Sequence, residues 1–130
     1  MPEQGVPVPD ILRASKDMLR KQLYVIFTSP ASGIEPIMKN LKEHLEFQIV
    51  LERRGIMFGA GPFWTDDEKT WLGEGMVIIR AESMAAAKAI AESDPMHRSG
   101  ARTFKIRPWL LNEGTFTARF TFSDQKVGFE

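Results

Sequence analysis

The chain has 130 residues, with 17 basic and 17 acidic side chains, two histidines and no cysteine. This length suits one domain with a hydrophobic core, and the balanced charge without a long basic run argues against nucleic acid and anionic membranes as partners. Without cysteine the chain has neither a disulfide framework nor a thiolate nucleophile.

The first 22 residues are predicted to form an extension ahead of the main domain. Residues 1–9 contain three prolines and are expected to be extended or disordered, until Asp10 caps a short helix over about residues 11–21. The segment lacks the basic and apolar regions of a leader peptide, and no stretch approaches about 18 consecutive apolar residues. We therefore expect a soluble, cytoplasmic protein.

A strand followed by a long helix opens the main domain. The run Leu23–Thr28 is rich in β-branched and aromatic residues and stops at Ser29-Pro30, which predicts a buried strand. The helix is predicted to begin at residue 34 or 35 and to end at Arg54, with Gly55 as its C-terminal cap.

His44 occurs where an amphipathic helix normally places core residues. At about 100° per residue it falls between Ile37 and Leu51, and Gln48 follows one turn later, while the charged residues cluster on the opposite face. Two interpretations are open. His44 is either a core histidine bonded to a backbone carbonyl or a polar group that lines a pocket between helix and sheet.

The next elements repeat the strand, helix and strand order. Residues 56–62 form a short predicted strand, residues 63–72 a polar loop, and residues 75–81 another strand. Ser83 is predicted to cap an alanine-rich helix over residues 84–91, which breaks before Pro95. Residues 96–100 are expected to form a loop.

The last predicted strand of the domain covers residues 101–107. It alternates Phe104 and Ile106 against three basic residues, and it is expected to end before Pro108. The three basic residues are Arg102, Lys105 and Arg107. Residues 110–130 are predicted to form a C-terminal extension, in which an extra strand over residues 114–122 adds to the sheet or crosses to a partner, and the last eight residues form a tail.

The order of elements predicts the fold. A β-α-β-β-α-β sequence with right-handed connections gives a four-stranded antiparallel sheet with two helices on one face, the ferredoxin-like α+β fold. Residues 24–27 and 76–79 are apolar on both faces of their strands, which indicates that the second face is also buried. A homodimer with the two sheets packed face to face would bury it.

Several short motifs occur in order over about residues 23–109. They are Leu23-Tyr-Val-Ile-Phe27, His44-Leu45, Gly59-Ala-Gly-Pro62, Asp66-Asp-Glu68, Gly75 before a strand, Asp94-Pro95, Gly100 and Ile106-Arg-Pro-Trp109. This set resembles the YciI-related (YCII) family. The resemblance implies a dimeric α+β barrel, the fold shared with muconolactone isomerase-like and antibiotic-biosynthesis monooxygenase-like proteins.

The resemblance also implies an active site with a histidine and an aspartate, which map to His44 and Asp94. At least one member of the family is a dehydrochlorinase that acts on a chlorinated hydroxyaromatic compound. An imidazole titrates near neutral pH, and a nearby carboxylate fixes its tautomer and stabilises its charged form, so such a pair can transfer a proton. An aspartate before proline also commonly caps a turn, and Asp66 or Asp67 is open as the alternative carboxylate partner.

Substrate-binding residues are predicted around the same pocket: Gln48, Gly61, Phe63, Trp64 and Asp66. Phe63 and Trp64 follow a Gly-Pro turn and are the better candidates for a pocket wall, whereas the other two tryptophans are interpreted as packing anchors. A metal site shared by His44 and His97 has weak support, because two histidines alone do not make a ligand cluster. We expect neither metal nor cofactor.

Two functions are consistent with these features. The first is a small cofactor-independent lyase or isomerase that moves a proton on a small aromatic or carbonyl-bearing substrate, with His44 as general acid or base and Asp94 orienting it. The second is a non-catalytic dimeric module that binds a small ligand or a partner protein in the same cleft.

Overall fold

The computed structural model describes residues 4–130. In order along the chain, its elements are α1 (Val8–Ala14), β1 (Lys21–Pro30), α2 (Glu35–Arg53), β2 (Met57–Pro62), β3 (Gly75–Ile79), α3 (Met84–Ser93), α4 (Pro95–Arg98), β4 (Arg102–Leu111), β5 (Ala118–Thr121) and β6 (Lys126–Phe129). Among these residues no helix is both long and apolar enough to cross a membrane. The contacts between residues divide the chain into two units. The larger unit covers Gln22–Trp109, and the second consists of residues 4–21 and 110–130.

The larger unit contains a four-stranded sheet in the order β2-β3-β1-β4. Strand β3 pairs antiparallel with β1 on one side and with β2 on the other, in a register that places Ile26 opposite Val77. Helix α2 connects β1 to β2, and α3 and α4 connect β3 to β4. The predicted α+β fold with a ferredoxin-like order of elements is confirmed.

The core lies between α3 and one face of the sheet. Tyr24 and Ile26 of β1 and Val77 and Ile79 of β3 are buried there, because alternate residues of a strand point to the same face. Ala87 and Ala91 of α3 pack against them, and their small side chains allow close approach. Burying a side chain such as that of Ile79, which is fully buried, contributes about 1.5–3 kcal/mol.

Helix α2 ends in a Schellman motif, as predicted from Gly55. This glycine has a φ of 74°, and its N–H donates to the carbonyl of Glu52 while the N–H of Ile56 donates to that of Leu51. A positive φ strains residues with a Cβ, so glycine suits this position. The turn directs the chain into β2.

The buried side chains of α2 are Ile37, His44 and Leu51. The prediction that His44 shares a helical face with Ile37 and Leu51 is therefore confirmed. The apolar residues on the adjoining part of the helix remain exposed: Ile34, Met38, Leu45 and Ile49. The buried face of α2 is thus narrower than the apolar face that the helical periodicity of its sequence predicts.

The opposite face of the sheet is only partly covered within one chain. On β1, Val25 is 7% exposed and Phe27 is 38% exposed. Together with Met76 and Ile78 they line a hollow of about 330 Å³. The homodimer that would cover this face stays a prediction.

Two expectations for the end of this unit are wrong. Residues 95–98 form α4 instead of a loop, because Asp94 caps the turn and Pro95 fits the first helical position. Strand β4 also continues through Pro108 to Leu111. It lies at the edge of the sheet, where a proline leaves no ladder hydrogen bond missing on the open side.

The second unit contains α1, β5 and β6. Helix α1 covers Val8–Ala14, so the predicted helix over residues 11–21 is wrong, and Asp10 lies inside the helix instead of capping it. Pro9 occupies the first turn, where its missing N–H is not needed. Residues 1–3 of the predicted disordered start lie outside the described residues.

The C-terminal residues form a hairpin of their own. Strands β5 and β6 pair antiparallel in a separate two-stranded sheet, with Phe120 opposite Val127. The expected single strand over residues 114–122 is therefore shorter and does not join the four-stranded sheet. The predicted tail contains β6.

Candidate active site

A cleft of about 410 Å³ opens beside α2, β2 and β3. A volume in this range accommodates a small organic molecule. Of the residues predicted to form the site, His44, Gln48, Gly61 and Trp64 line this cleft. The walls are mostly apolar, so the few polar side chains govern the chemistry.

His44 and Asp94 form a buried ion pair or hydrogen-bonded pair at one side of the cleft. The Nδ1 atom of His44 lies 2.9 Å from Oδ1 and 2.8 Å from Oδ2 of Asp94. The two residues are 6% and 5% exposed. Contact with both carboxylate oxygens fixes the position and the rotation of the imidazole ring.

This contact determines which nitrogen of His44 carries a proton. Asp94 as a carboxylate only accepts hydrogen bonds, so Nδ1 must be the protonated nitrogen. Nε2 of neutral His44 then has a lone pair, and His44 lines the cleft. This arrangement of carboxylate, imidazole and open cleft suits a general base.

Local structure holds Asp94 in place. Its Oδ1 accepts the N–H of Met96 at 2.9 Å, which caps the first turn of α4. The aspartate before proline therefore caps a turn and contacts the histidine at the same time. Below it, Ile37 of α2 packs against Met96 and Ala101 in a second buried cluster, so the two elements that carry the pair are joined by apolar contacts.

A second polar pair lies next to the first. Thr28 lines the cleft at the end of β1, and its Oγ1 lies 2.9 Å from Nε2 of His97. Nδ1 of His97 lies 2.6 Å from the carbonyl oxygen of Ala91, and must donate to it. Nε2 therefore accepts the hydroxyl proton of Thr28, and the oxygen of Thr28 presents a lone pair to the cleft.

Burial lowers the pKa of His97 below its usual 6.5, and the positive charge of Arg102 lowers it further. The hydrogen bond to the carbonyl of Ala91 and the negative charge of Asp94 oppose this shift without cancelling it. The neutral form of His97 is thus favoured. The ring also packs on Phe104, with 4.5 Å between the ring centroids.

Arg102 reaches the cleft from the start of β4. It is 6% exposed, its Nε donates to the carbonyl of Gly73 at 3.0 Å, and its guanidinium carbon lies 6.0 Å from the ring centroid of Trp71. Burial lowers the pKa of Arg102, and the charge of Asp94 raises it. The expectation that Arg102 alternates against Phe104 is wrong, since both lie at even positions of the same strand.

Two predicted binding residues lie elsewhere. Phe63 and Asp66 do not line the cleft. The alternative partner Asp67 is engaged in its own loop, where it accepts hydrogen bonds from the hydroxyl of Thr65 and the N–H of Lys69. The carboxylate in contact with His44 is that of Asp94.

The arrangement of the histidines and carboxylates offers no cluster for a metal ion among the described residues. Within residues 4–130, no three histidine, aspartate or glutamate side chains come together in a metal-binding group. Both Nδ1 atoms of the two histidines are already engaged, by Asp94 and by the carbonyl of Ala91.

Among the polar and aromatic residues of the cleft, sequence reasoning missed three: Thr28, Trp71 and Arg102. The alternation of β1 contains a signal for Thr28, which shares a face with Tyr24 and Ile26. Trp71 packs against the buried cluster of α2 and α4 while it lines the cleft. It is therefore both a packing anchor and a wall.

Comparison with known proteins bears on the domain and its fold. The YCII-related domain matches residues 22–110. Among solved structures, the chain is similar to 5-chloro-2-hydroxyhydroquinone dehydrochlorinase (TftG) from Burkholderia phenoliruptrix, in complex with 2,5-dihydroxybenzoquinone, with 22% identity and a TM-score of 0.55 over 67% of this chain and 92% of that chain. A comparison with curated proteins finds no match. The structural likeness supports the fold alone.

Proposed function

The chain belongs to the YCII-related domain family, and from that premise we propose that it is a small lyase or isomerase in which His44 transfers a proton on a small substrate. Asp94 orients His44 and stabilises its charged form. The substrate binds in the cleft beside α2, with Gln48, Gly61 and Trp64 among the residues that contact it.

One observation carries this proposal. Both carboxylate oxygens of Asp94 lie within 2.9 Å of Nδ1 of His44, and His44 lines a cleft of about 410 Å³. A histidine with only a structural role would need one hydrogen bond and no open space. Here the ring is held by one nitrogen and leaves the other for a ligand.

The proposed reaction begins with removal of a proton from a carbon atom of the substrate. Nε2 of His44 takes the proton, and the electron pair of the broken C–H bond moves toward the neighbouring carbonyl, giving an enolate. Return of the proton to another atom completes an isomerisation. Alternatively, the electron pair expels a leaving group from the adjacent carbon, which completes an elimination. The imidazolium formed in either case is stabilised by Asp94.

The similar solved structure gives further support for the class of chemistry. That protein is a dehydrochlorinase, and its structure contains 2,5-dihydroxybenzoquinone. A dehydrochlorination removes a proton and a chloride, which is the second course described above. We therefore propose hydroxylated aromatic or quinonoid compounds as the first substrates to examine.

The alternative function uses the same cleft without chemistry. A dimeric module that binds a small ligand would also place polar groups such as Gln48 and His44 in an apolar cleft. The contact of Nδ1 of His44 with both carboxylate oxygens of Asp94 favours the enzyme, since simple binding does not need a carboxylate that fixes which ring nitrogen is protonated.

The test begins with a thermal-shift screen of small phenols, hydroxyquinones, lactones and carboxylic acids. Saturation at about 100 times Kd stabilises a protein by about 2.7 kcal/mol, which is visible for a domain of this size. Each compound that binds is then incubated with the protein in D₂O and followed by NMR. We expect at least one compound to incorporate deuterium at carbon or to form a product.

Two variants of α2 make the test specific. His44→Gln removes the base, and Lys42→Gln makes the same replacement on the exposed side of the same helix. We expect exchange and turnover to be lost in the first variant and kept in the second. Binding without exchange or product by the wild type would support the non-catalytic module instead.

A further inference from the structure

We propose that Arg102 binds an anionic oxygen of the ligand, so that the cleft selects planar organic acids, as carboxylates or phenolates, over their neutral analogues. This inference shares its cleft with the proposed function and rests on it in that respect alone. It concerns binding, and it does not require that His44 transfer a proton.

The first observation is a buried cation with incomplete pairing. Arg102 is 6% exposed, and its Nε is occupied by the carbonyl of Gly73. Among residues 4–130, its two terminal nitrogens have no hydrogen-bond partner, and Arg102 takes part in no ion pair. A guanidinium has five N–H donors. In the described part of the chain, the one fully buried side-chain polar atom without a partner is Oδ1 of Asn112, so the terminal nitrogens of Arg102 reach the cleft that Arg102 lines. A ligand in the cleft can supply the missing acceptor.

The nearby carboxylate does not fill this role. The charge of Asp94 acts on Arg102, but both oxygens of Asp94 contact Nδ1 of His44, and one of them also accepts the N–H of Met96. Asp94 is therefore committed to the histidine. With His44 neutral, as a general base requires, the charge of Asp94 offsets that of Arg102, while the terminal N–H groups of Arg102 remain available as donors to an anionic oxygen of a ligand.

The geometry of Arg102 is preorganised. Its Nε contact at 3.0 Å fixes the plane of the guanidinium, and its carbon lies 6.0 Å from the centroid of the Trp71 ring. An arginine held in this way loses little conformational freedom on binding, and its fork of N–H groups matches a carboxylate. A lysine would supply charge without this fork.

The rest of the cleft fits the apolar body of such an acid. Its walls include two tryptophans and several aliphatic side chains: Leu41, Leu45, Trp64, Trp71, Met76 and Val77. Flat aromatic rings pack well on indole surfaces. Thr28 adds an acceptor oxygen, because its own proton is donated to His97, and this oxygen suits a hydroxyl group on the ligand.

Two matched pairs of probes test the proposal by calorimetry. Benzoate and benzamide share shape but differ in charge, and 4-nitrophenol above its pKa and nitrobenzene make the same comparison for a phenolate. We expect the wild type to bind the anion of at least one pair about tenfold more tightly or more, the size expected for one charged hydrogen-bonded contact. Equal binding within both pairs, or no binding of either anion, would overturn the proposal.

Variants assign the preference to Arg102. In Arg102→Gln the preference for the anion should disappear while the neutral probe still binds, and in Arg102→Lys it should be reduced. Lys105→Gln, which removes an exposed cation of the same strand, should keep the preference. Calorimetry measures binding without turnover, so this result does not depend on proton transfer by His44. A folded Arg102→Gln that keeps the full preference would contradict the assignment.

A spectroscopic readout covers the case in which Arg102→Gln does not fold. The side-chain ¹⁵N resonances of Arg102 in the wild type are assigned from the signal missing in Arg102→Lys. Addition of the preferred anion should shift these resonances, and the neutral analogue should not. Unchanged Arg102 resonances at saturating anion would overturn the proposal.

Discussion

The carboxylate of Asp94 contacts Nδ1 of His44 through both oxygens, at 2.9 and 2.8 Å, although 50 residues separate them in the chain. The contact joins the middle of α2 to the turn between α3 and α4. Both side chains are buried, and His44 lines the cleft.

Replacing Asp94 tests the orientation of the histidine. Asp94→Asn keeps the size of the side chain and an oxygen that can cap α4, because asparagine is also a good N-cap. It removes the charge that stabilises imidazolium, so we expect turnover to fall about a hundredfold or more. We also expect the free energy of unfolding to fall by about 1–3 kcal/mol, since a buried charged hydrogen bond is weakened. Turnover within about threefold of the wild type would show that the carboxylate does not assist the base.

The pair of Thr28 and His97 is tested by removing one hydroxyl. Thr28→Val keeps the shape of the side chain but leaves Nε2 of His97 without its donor, so we expect the free energy of unfolding to fall by about 1–2 kcal/mol. Thr103→Val makes the same change at an exposed position of β4 and should cost much less. Denaturant unfolding of both variants measures the difference, and equal costs would argue against the hydrogen bond.

His97 should make stability depend on pH. Burial lowers its pKa in the folded state below the 6.5 of the unfolded chain, so the unfolded chain binds the proton more tightly. The contribution of neutral His97 is therefore complete above about pH 6.5 and is lost as the pH falls toward the lowered pKa. His97→Gln cannot titrate at this position. We expect the stability of the wild type to decline more steeply than that of the variant below about pH 6.5, as measured by urea unfolding. Parallel curves would contradict the lowered pKa.

Gly73 places the carbonyl that holds Arg102. It has a φ of 94°, and an added Cβ would lie 2.9 Å from side-chain atoms of both Ile37 and Pro30. Gly33 also has a positive φ, of 76°, but open space around it. We expect Gly33→Ala to cost about 1 kcal/mol from backbone strain alone and Gly73→Ala to cost about 1 kcal/mol more. Thermal and urea unfolding compare the two. Equal costs would mean that the site adapts without strain.

Local chemistry predicted much of the fold. Gly55 and Ser83 mark helix ends through a positive φ and a side-chain cap, and both features depend on neighbours a few residues away. The face of α2 that carries His44 follows from helical periodicity. The family resemblance added Asp94, which periodicity alone does not connect to His44.

Features set by distant parts of the chain were harder to predict. Pro108 continues β4 because that strand lies at the edge of the sheet, a property that the local sequence does not contain. Thr28 meets His97 across 69 residues. The predicted pattern sets Arg102 against Phe104 together with Lys105 and Arg107, although strand alternation puts Arg102 on the same side as Phe104, and Arg102 is buried. Helix α4 has only four residues and is capped by Asp94. Such a short segment has no helical periodicity of its own, so the sequence predicts a loop there.

We propose that Asp94 holds neutral His44 with its proton on Nδ1 and leaves Nε2 as the base. Long-range ¹H–¹⁵N NMR of the histidine rings reports this tautomer without any substrate. Signals are assigned from His44→Gln and His97→Gln, and the spectrum is recorded at a pH where both rings are neutral. We predict that Nδ1 of His44 is protonated and Nε2 is not, and that Asp94→Asn weakens this preference. A proton on Nε2 of neutral His44 would contradict the account.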